Sequence, residues 1–229
     1  MAQVFPASRS FGVDHIIKRL IGDGYLGEVL SVDLAENSGF LGKSALHTWR
    51  NDRELSGYNI MSLGYWVEIM MRWLGSASSV SAVTKTNAPT RYDVAGQPRV
   101  TDIPDHVDVI SEFLCGAVAH IRISEAGGLG PSGQARIFGS EGTLIVDLET
   151  MTIWGGRDGD SKLSEIEIPD DSDEFVRCSS EEEFVNAIRG TGDVRFTTFE
   201  DGVRYMEFTE AVTLSAETGC MVNLPLKQL

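Results

Sequence analysis

The chain has 229 residues, 42% hydrophobic and 23% charged, with a formal net charge of −15. This is the composition of a soluble globular protein with one sizeable domain or two small ones. So acidic a surface repels nucleic-acid backbones and anionic membranes, which sets both aside as partners.

No apolar run reaches the roughly 18 residues of a membrane span. The opening residues, MAQVFPASRSFG, place a Pro and polar side chains where a signal peptide carries its apolar region. Val13, Ile16, Ile17, Leu20 and Ile21 then fall at helical spacing, and Gly22 or Gly24 stops that helix in the left-handed conformation. GEVLSVDLAE alternates as a strand does. Residues 37–57 keep no period and read as an excursion. SGYNIMSLGYWVEIMMRWLG, residues 56–75, reads as one buried helix opened by a glycine and closed by another. A strand follows at SSVSAVTKT, then a turn-rich connection over residues 87–105. HVDVISEFLCGAVAHIRIS predicts two strands joined at Cys115–Gly116. QARIFGSEGTLIVDLETMTIWGG predicts three more, with turns at Ser140–Gly142 and near Glu149–Thr150. KLSEIEIP alternates, and DDSDE is an acidic, solvated loop. SSEEEFVNAIRG opens with a capping Ser and three acids and ends in Gly190, as the helix dipole favours. TTFEDGVRYMEFTEAVTLSAETG is a long helix closed by Gly219, and CMVNLP is a short final strand. The order predicts an α+β domain: an open-faced, mainly antiparallel sheet with helices packed on one face.

No G-x-G-x-x-G lies between a strand and a helix. EAGGLGPSG follows a hairpin strand and FGSEG is a hairpin turn, so neither offers a helix N-terminus to a pyrophosphate. The Walker loop, G-x-S-x-G and H-E-x-x-H are likewise absent from the sequence. Cys115, Cys178 and Cys220 are an odd count without C-x-x-C, which argues against a disulfide framework or zinc knuckle and points to a reducing cytoplasm. The four histidines form no metal-ligand set: His106 shares a strand face with Asp108 only, His120 sits mid-strand, and His47 lies near Arg50.

Four stretches in order carry a family resemblance: IKRLIGDGYLGEVLSVDL, WRNDRELSGYNIMSLGYWVEIMMRWLG, ARIFGSEGTLIVD and EDGVRYMEFTEAVTLSAETGCMVNLP. Together they resemble the C-terminal domain of the Gfo/Idh/MocA oxidoreductases, over nearly the whole chain. In that family an N-terminal Rossmann domain binds NAD(P) and supplies a lysine from a Glu-Lys-Pro motif; neither is in this sequence. The resemblance implies that residues 1–10 are a tail following the position of that domain, and residues 11–229 a single α+β domain. It implies no cofactor in this chain, and NAD or NADP in a full-length parent. The function implied is the substrate-binding and oligomerisation half of an oxidoreductase acting on a sugar-like or polyol substrate, redox-inactive by itself. The alternative is a stand-alone, non-enzymatic domain that dimerises or binds a small ligand.

The family's active-site helix carries an Asp and a His four apart; Ser62 and Trp66 stand at those positions here. Neither does general-base chemistry near neutral pH, so no catalytic residue is expected. The expected pocket is bounded by Arg50, Asn59, Ser62, Tyr65 and Trp66. Asn59, Ser62 and Trp66 would share a helix face, the first two bonding hydroxyls and the indole offering a plane for stacking. Trp66 equally suits the core of a helix so rich in Ile, Met and Leu. Arg50 faces substrate or solvent, Tyr65 points either way, and Glu68 with Arg72 reads as a helix-surface pair. A homodimer or higher oligomer through the sheet is expected as well. Val107, Val109, Ser111 and Phe113 share one strand face and Asp108, Ile110, Glu112 and Leu114 the other; neither is uniformly charged, so whichever is outer is semi-apolar.

Overall fold

The computed structural model describes residues 3–5, 7, 11–39, 46–129, 132–168, 180–192 and 197–227. The acidic loop at 170–174, Cys178 and the capping Ser179 lie outside the described residues. Helix α1 (Asp14–Gly22) turns Ile16 and Ile17 fully inward, and Gly24, at φ +75°, redirects the chain after it; Gly22 stays helical. Strand β1 (Val29–Asn37) buries Val32 and Leu34 and leaves Leu30 outside, after a bulge between Val29 and Ser31.

The excursion contains one 3-10 turn, Trp49–Asn51, and a short helix α2 (Arg53–Ser56). Helix α3 spans only Leu63–Leu74. The expected helix over residues 56–75 therefore fails in its first third. Gly57 caps α2 at φ +62° and Met61 sits at φ +49°, so the backbone cannot propagate a helix through them. Asn59 thus precedes the helix and does not share its face.

The remaining elements are β2 (Ala77–Lys85), β3 (Thr90–Tyr92), β4 (Pro98–Val100), β5 (His106–Phe113), β6 (Val118–Ser124), β7 (Gly133–Gly139), β8 (Gly142–Asp147), β9 (Ile153–Arg157), β10 (Ser164–Ile166), α4 (Ser180–Arg189), α5 (Phe199–Thr218) and β11 (Val222–Asn223). Nine strands form one sheet in the order β10-β9-β8-β7-β1-β6-β5-β2-β11. The β1–β6 pair is parallel and every other neighbouring pair antiparallel. Strands β3 and β4 pair separately as a ribbon, where the sequence predicted only turns.

Alternation places Val32, Leu34, Val107, Val109, Ala119, Ile121, Ala135, Ile137, Leu144 and Val146 on one buried face. One continuous core joins that face to Ile16 and Ile17 of α1, Val67 and Met70 of α3, and Phe208 and Val212 of α5. Helix α5 opens with a reciprocal cap between Thr198 and Asp201 and ends at the left-handed Gly219. Its Ser215 Oγ accepts from Ala82 N at 3.0 Å, covering the edge of β2 beyond the two residues paired by β11. Among the described residues no helix is long and apolar enough to cross a membrane.

Candidate functional site

The inner face of the sheet is apolar until one end, where it turns acidic. On β1 the inward positions run Val32, Leu34, Glu36. On β6, Ile121 and Ile123 lead to Glu125, and on β5 Asp105 precedes Val107. Glu36 is in register with Ile123 of the parallel β6, and β5 runs back beside it, so the three carboxylates gather at one end. The first residues of α3 meet the sheet there.

Two of these acids are fully engaged. Buried Asp105 accepts from Asn87 N and Ala88 N, each at 2.8 Å, and from Asn87 Nδ2 at 2.9 Å. Glu125 pairs with Arg91 of the ribbon, whose guanidinium also lies 3.9 Å from Asp105. This buried cation fastens β3–β4 to the sheet. Glu36 differs. Its Oε2 accepts from Ser62 Oγ at 2.6 Å and from the Trp66 indole Nε1, both neutral, and among the described residues no cation lies beside it.

The structure thus brings Ser62 and Trp66 together on Glu36, a residue that the sequence reading missed, with Tyr65 against the Trp66 ring. Trp66 is 5% exposed, with Phe11 edge-on at 5.3 Å and Tyr65 edge-on at 5.0 Å. Its ring is core, and the stacking plane expected of it is closed; only its N–H reaches the polar end. Asn59 adjoins through Oδ1, which accepts from Gly64 N at 3.3 Å. Arg50 is exposed on the 3-10 turn, its guanidinium 4.2 Å from the Trp49 ring centroid. The signal for Glu36 was available in VLSVDLAE: a carboxylate at the third inward position of an apolar stripe.

The expected surface pair of Glu68 and Arg72 is corrected. Glu68 is 7% exposed and accepts from Ala7 N through both oxygens, at 3.0 and 3.1 Å, and from Thr197 Oγ1. Arg72 Nε instead donates to Asp14 at 3.0 Å, and Trp73 Nε1 donates to the same carboxylate at 2.8 Å. Burial pushes both carboxyl groups above their ordinary values, against the lowering effect of their donors. Helix α3 is buried on most of its circumference, so an i, i+4 pair on it need not lie on the surface.

The described residues do not fit a dinucleotide. Among the described residues no strand enters a helix through a glycine-rich turn, and the hairpin glycines are already packed: Gly139 abuts the Leu26 carbonyl and Gly142 the Tyr25 carbonyl. Among the described residues no group of three or more His, Cys, Asp or Glu can hold a metal ion.

The outer face is mixed. His106 Nε2 lies 2.8 Å from Asp108, Arg122 Nε 3.4 Å from Asp108, and His120 3.9 Å from Asp33. Ile110, 54% exposed, and Val83 stand among them. Asp33, Val83, Asp108, Ile110, His120 and Arg122 line a depression of about 770 Å³, rimmed by Gly219 and Cys220.

No curated protein matches the chain in sequence. Solved structures do match in fold. An oxidoreductase domain protein from Kribbella flavida superposes with a TM-score of 0.80 at 18% identity, over 96% of this chain and 64% of its own. Levoglucosan dehydrogenase in complex with NADH and L-sorbose gives 0.79 at 20% identity, over 97% and 65%. A super-repressor mutant of Gal80p from Saccharomyces cerevisiae gives 0.72 at 16%, over 95% and 63%. The chain therefore spans a little under two thirds of the structures it resembles. The family model for the oxidoreductase family's C-terminal alpha/beta domain matches residues 18–224, and by that match the chain belongs to the Gfo/Idh/MocA oxidoreductases as their C-terminal domain.

Proposed function

We propose that this chain is the substrate-binding and oligomerisation half of a cytoplasmic NAD(P)-dependent oxidoreductase acting on a sugar-like or polyol substrate. Residues 11–229 form its single domain and residues 1–10 lead into it. The observation that carries the reading is the Glu36 group, a carboxylate held by Ser62 and Trp66 at the polar end of an otherwise apolar sheet face. Hydroxyl-rich ligands are bound by such oriented acceptors. A structural neighbour described with NADH and L-sorbose supports the substrate class. Arg50, Asn59 and Tyr65 complete the proposed surroundings. Nicotinamide chemistry belongs to a partner domain, because the residues here offer a dinucleotide no seat.

Calorimetric titration tests the reading. The 229-residue chain is expected to bind L-sorbose or levoglucosan saturably and to give no heat with NADH or NADPH. A micromolar dissociation constant for either cofactor, about −8 kcal/mol, contradicts it.

A second reading is favoured by Ser62 and Trp66, which cannot relay a proton near neutral pH. On it the chain is a non-enzymatic ligand-binding or dimerisation domain. The mass of the native polypeptide in its cell discriminates the two: a species well above 25.0 kDa favours the oxidoreductase half, and one of 25.0 kDa the stand-alone domain.

A further inference from the structure

We infer that Glu36 is the carboxylate that receives a ligand hydroxyl, and that the site therefore takes neutral polyols in preference to sugar acids or phosphates. This rests on the reading of the chain as a sugar-binding half. Of the three acids at the polar end, Asp105 accepts from three N–H donors and lies 3.9 Å from the Arg91 guanidinium, and Glu125 is paired with Arg91. Arg91 lies beside both of these acids, whereas Glu36, among the described residues, has no cation in ion-pairing range; its two donors, both neutral, fall on Oε2. A carboxylate has about four acceptor sites, so its capacity is half used.

The charge on Glu36 is left uncompensated by these donors. An uncompensated carboxylate attracts O–H groups through charge-assisted bonds, roughly twice as strong as neutral ones, and repels carboxylates and phosphates. The Ser62 hydroxyl and the Trp66 indole N–H fix its orientation from α3, and Phe11 and Tyr65 in turn lock the indole. Ser62 and Trp66 are thus positioning residues. The helix positions that the family resemblance marks for an acid and its partner supply donors instead, and the acid comes from β1.

The test uses the chain labelled with ¹⁵N at its tryptophan indoles, of which it has four. Trp66→Phe assigns the Trp66 resonance. D-sorbitol and D-glucose are expected to shift that resonance saturably, and D-gluconate to bind at least about tenfold more weakly than D-glucose. Glu36→Gln keeps an amide oxygen for both donors but turns an N–H₂ toward the ligand. It is expected to weaken sorbitol and glucose binding at least about tenfold with little change in unfolding midpoint. Should that variant fail to fold, Ser62→Ala removes one positioning donor and is expected to weaken binding about threefold or more. Sugar binding that leaves the Trp66 indole unmoved, or that Glu36→Gln leaves intact, overturns the assignment while the sugar-binding reading stands. Gluconate binding as tightly as glucose overturns the preference for neutral ligands. If neither neutral probe moves any resonance, the sugar-binding reading and the Glu36 assignment fall together.

Discussion

Glu68 precedes Arg72 by four residues, the spacing of a surface ion pair, yet it is buried against Ala7 and Thr197. Spacing says which side chains are neighbours on a helix; it does not say which face the rest of the molecule will cover. The consequence is measurable. Burial raises the Glu68 carboxyl above its ordinary value of 4.5, so the native chain holds that proton more tightly than the unfolded chain does. Its contribution to stability is therefore full below pH 4.5 and is lost as pH rises through the raised value. Asp14 acts with the same sign from its ordinary 3.8. Glu68→Gln removes one of the two titrations. The melting midpoint of the wild type should fall relative to Glu68→Gln as pH rises above 4.5, the gap levelling off once the pH has passed the raised value. A gap independent of pH across that range, followed by circular dichroism, would show that Glu68 titrates alike in both states.

The elements divide by how much period they carry. Strands β1 and β5 to β8 run over five or more residues between clear turns, so the strands themselves were readable; which face turns inward was decided by where the helices pack. The β3–β4 ribbon was missed because three-residue strands carry no period. It is held by tertiary contacts: Arg91 reaches Glu125 and Asp105, and Leu46 bridges to Tyr92. Arg91→Met should leave two acids facing an apolar thioether. Breaking a buried pair from one side costs about 3–5 kcal/mol, and chain cleavage within residues 86–102 should accelerate under limited proteolysis. Unchanged stability and cleavage would mean that the ribbon is held by its turns alone. The start of α3 was misplaced for a related reason. The apolar letters from Ile60 onward suit a helix, but the backbone takes positive φ at Gly57 and Met61, and α2 is held separately, its Arg53 N donating to Asp102 just after β4 at 2.8 Å.

At the scale of the molecule, the sheet leaves one face open, and we expect copies to pair through it. Ile110 and Val83 are exposed there among charges that are largely paired within the chain, Asp108 with Arg122 and His106. Pre-paired charges cost less to cover than lone ones, and the apolar side chains supply area to bury. The net charge of −15 opposes association at low salt, so the measurement belongs near physiological ionic strength. Light scattering there should give twice 25.0 kDa or more, and Ile110→Arg should return the mass to 25.0 kDa. A wild-type mass of 25.0 kDa at tens of micromolar would contradict pairing.

Local pattern in the sequence determined the class of fold, nearly every strand, the helix that ends at Gly219, and the absence of a dinucleotide motif. Each of these depends on periods of two or 3.6 residues, or on glycines at fixed offsets, which are properties of neighbouring letters. Tertiary structure decided which acid sits beside Ser62 and Trp66, because that depends on β1 meeting the start of α3 across 26 and 30 residues. It also decided that Trp66 is core by ring and polar by its N–H, that Arg50 turns to Trp49, and that Glu68 faces inward. Contacts between distant segments are made by packing the whole core at once, and no stretch of sequence carries them alone.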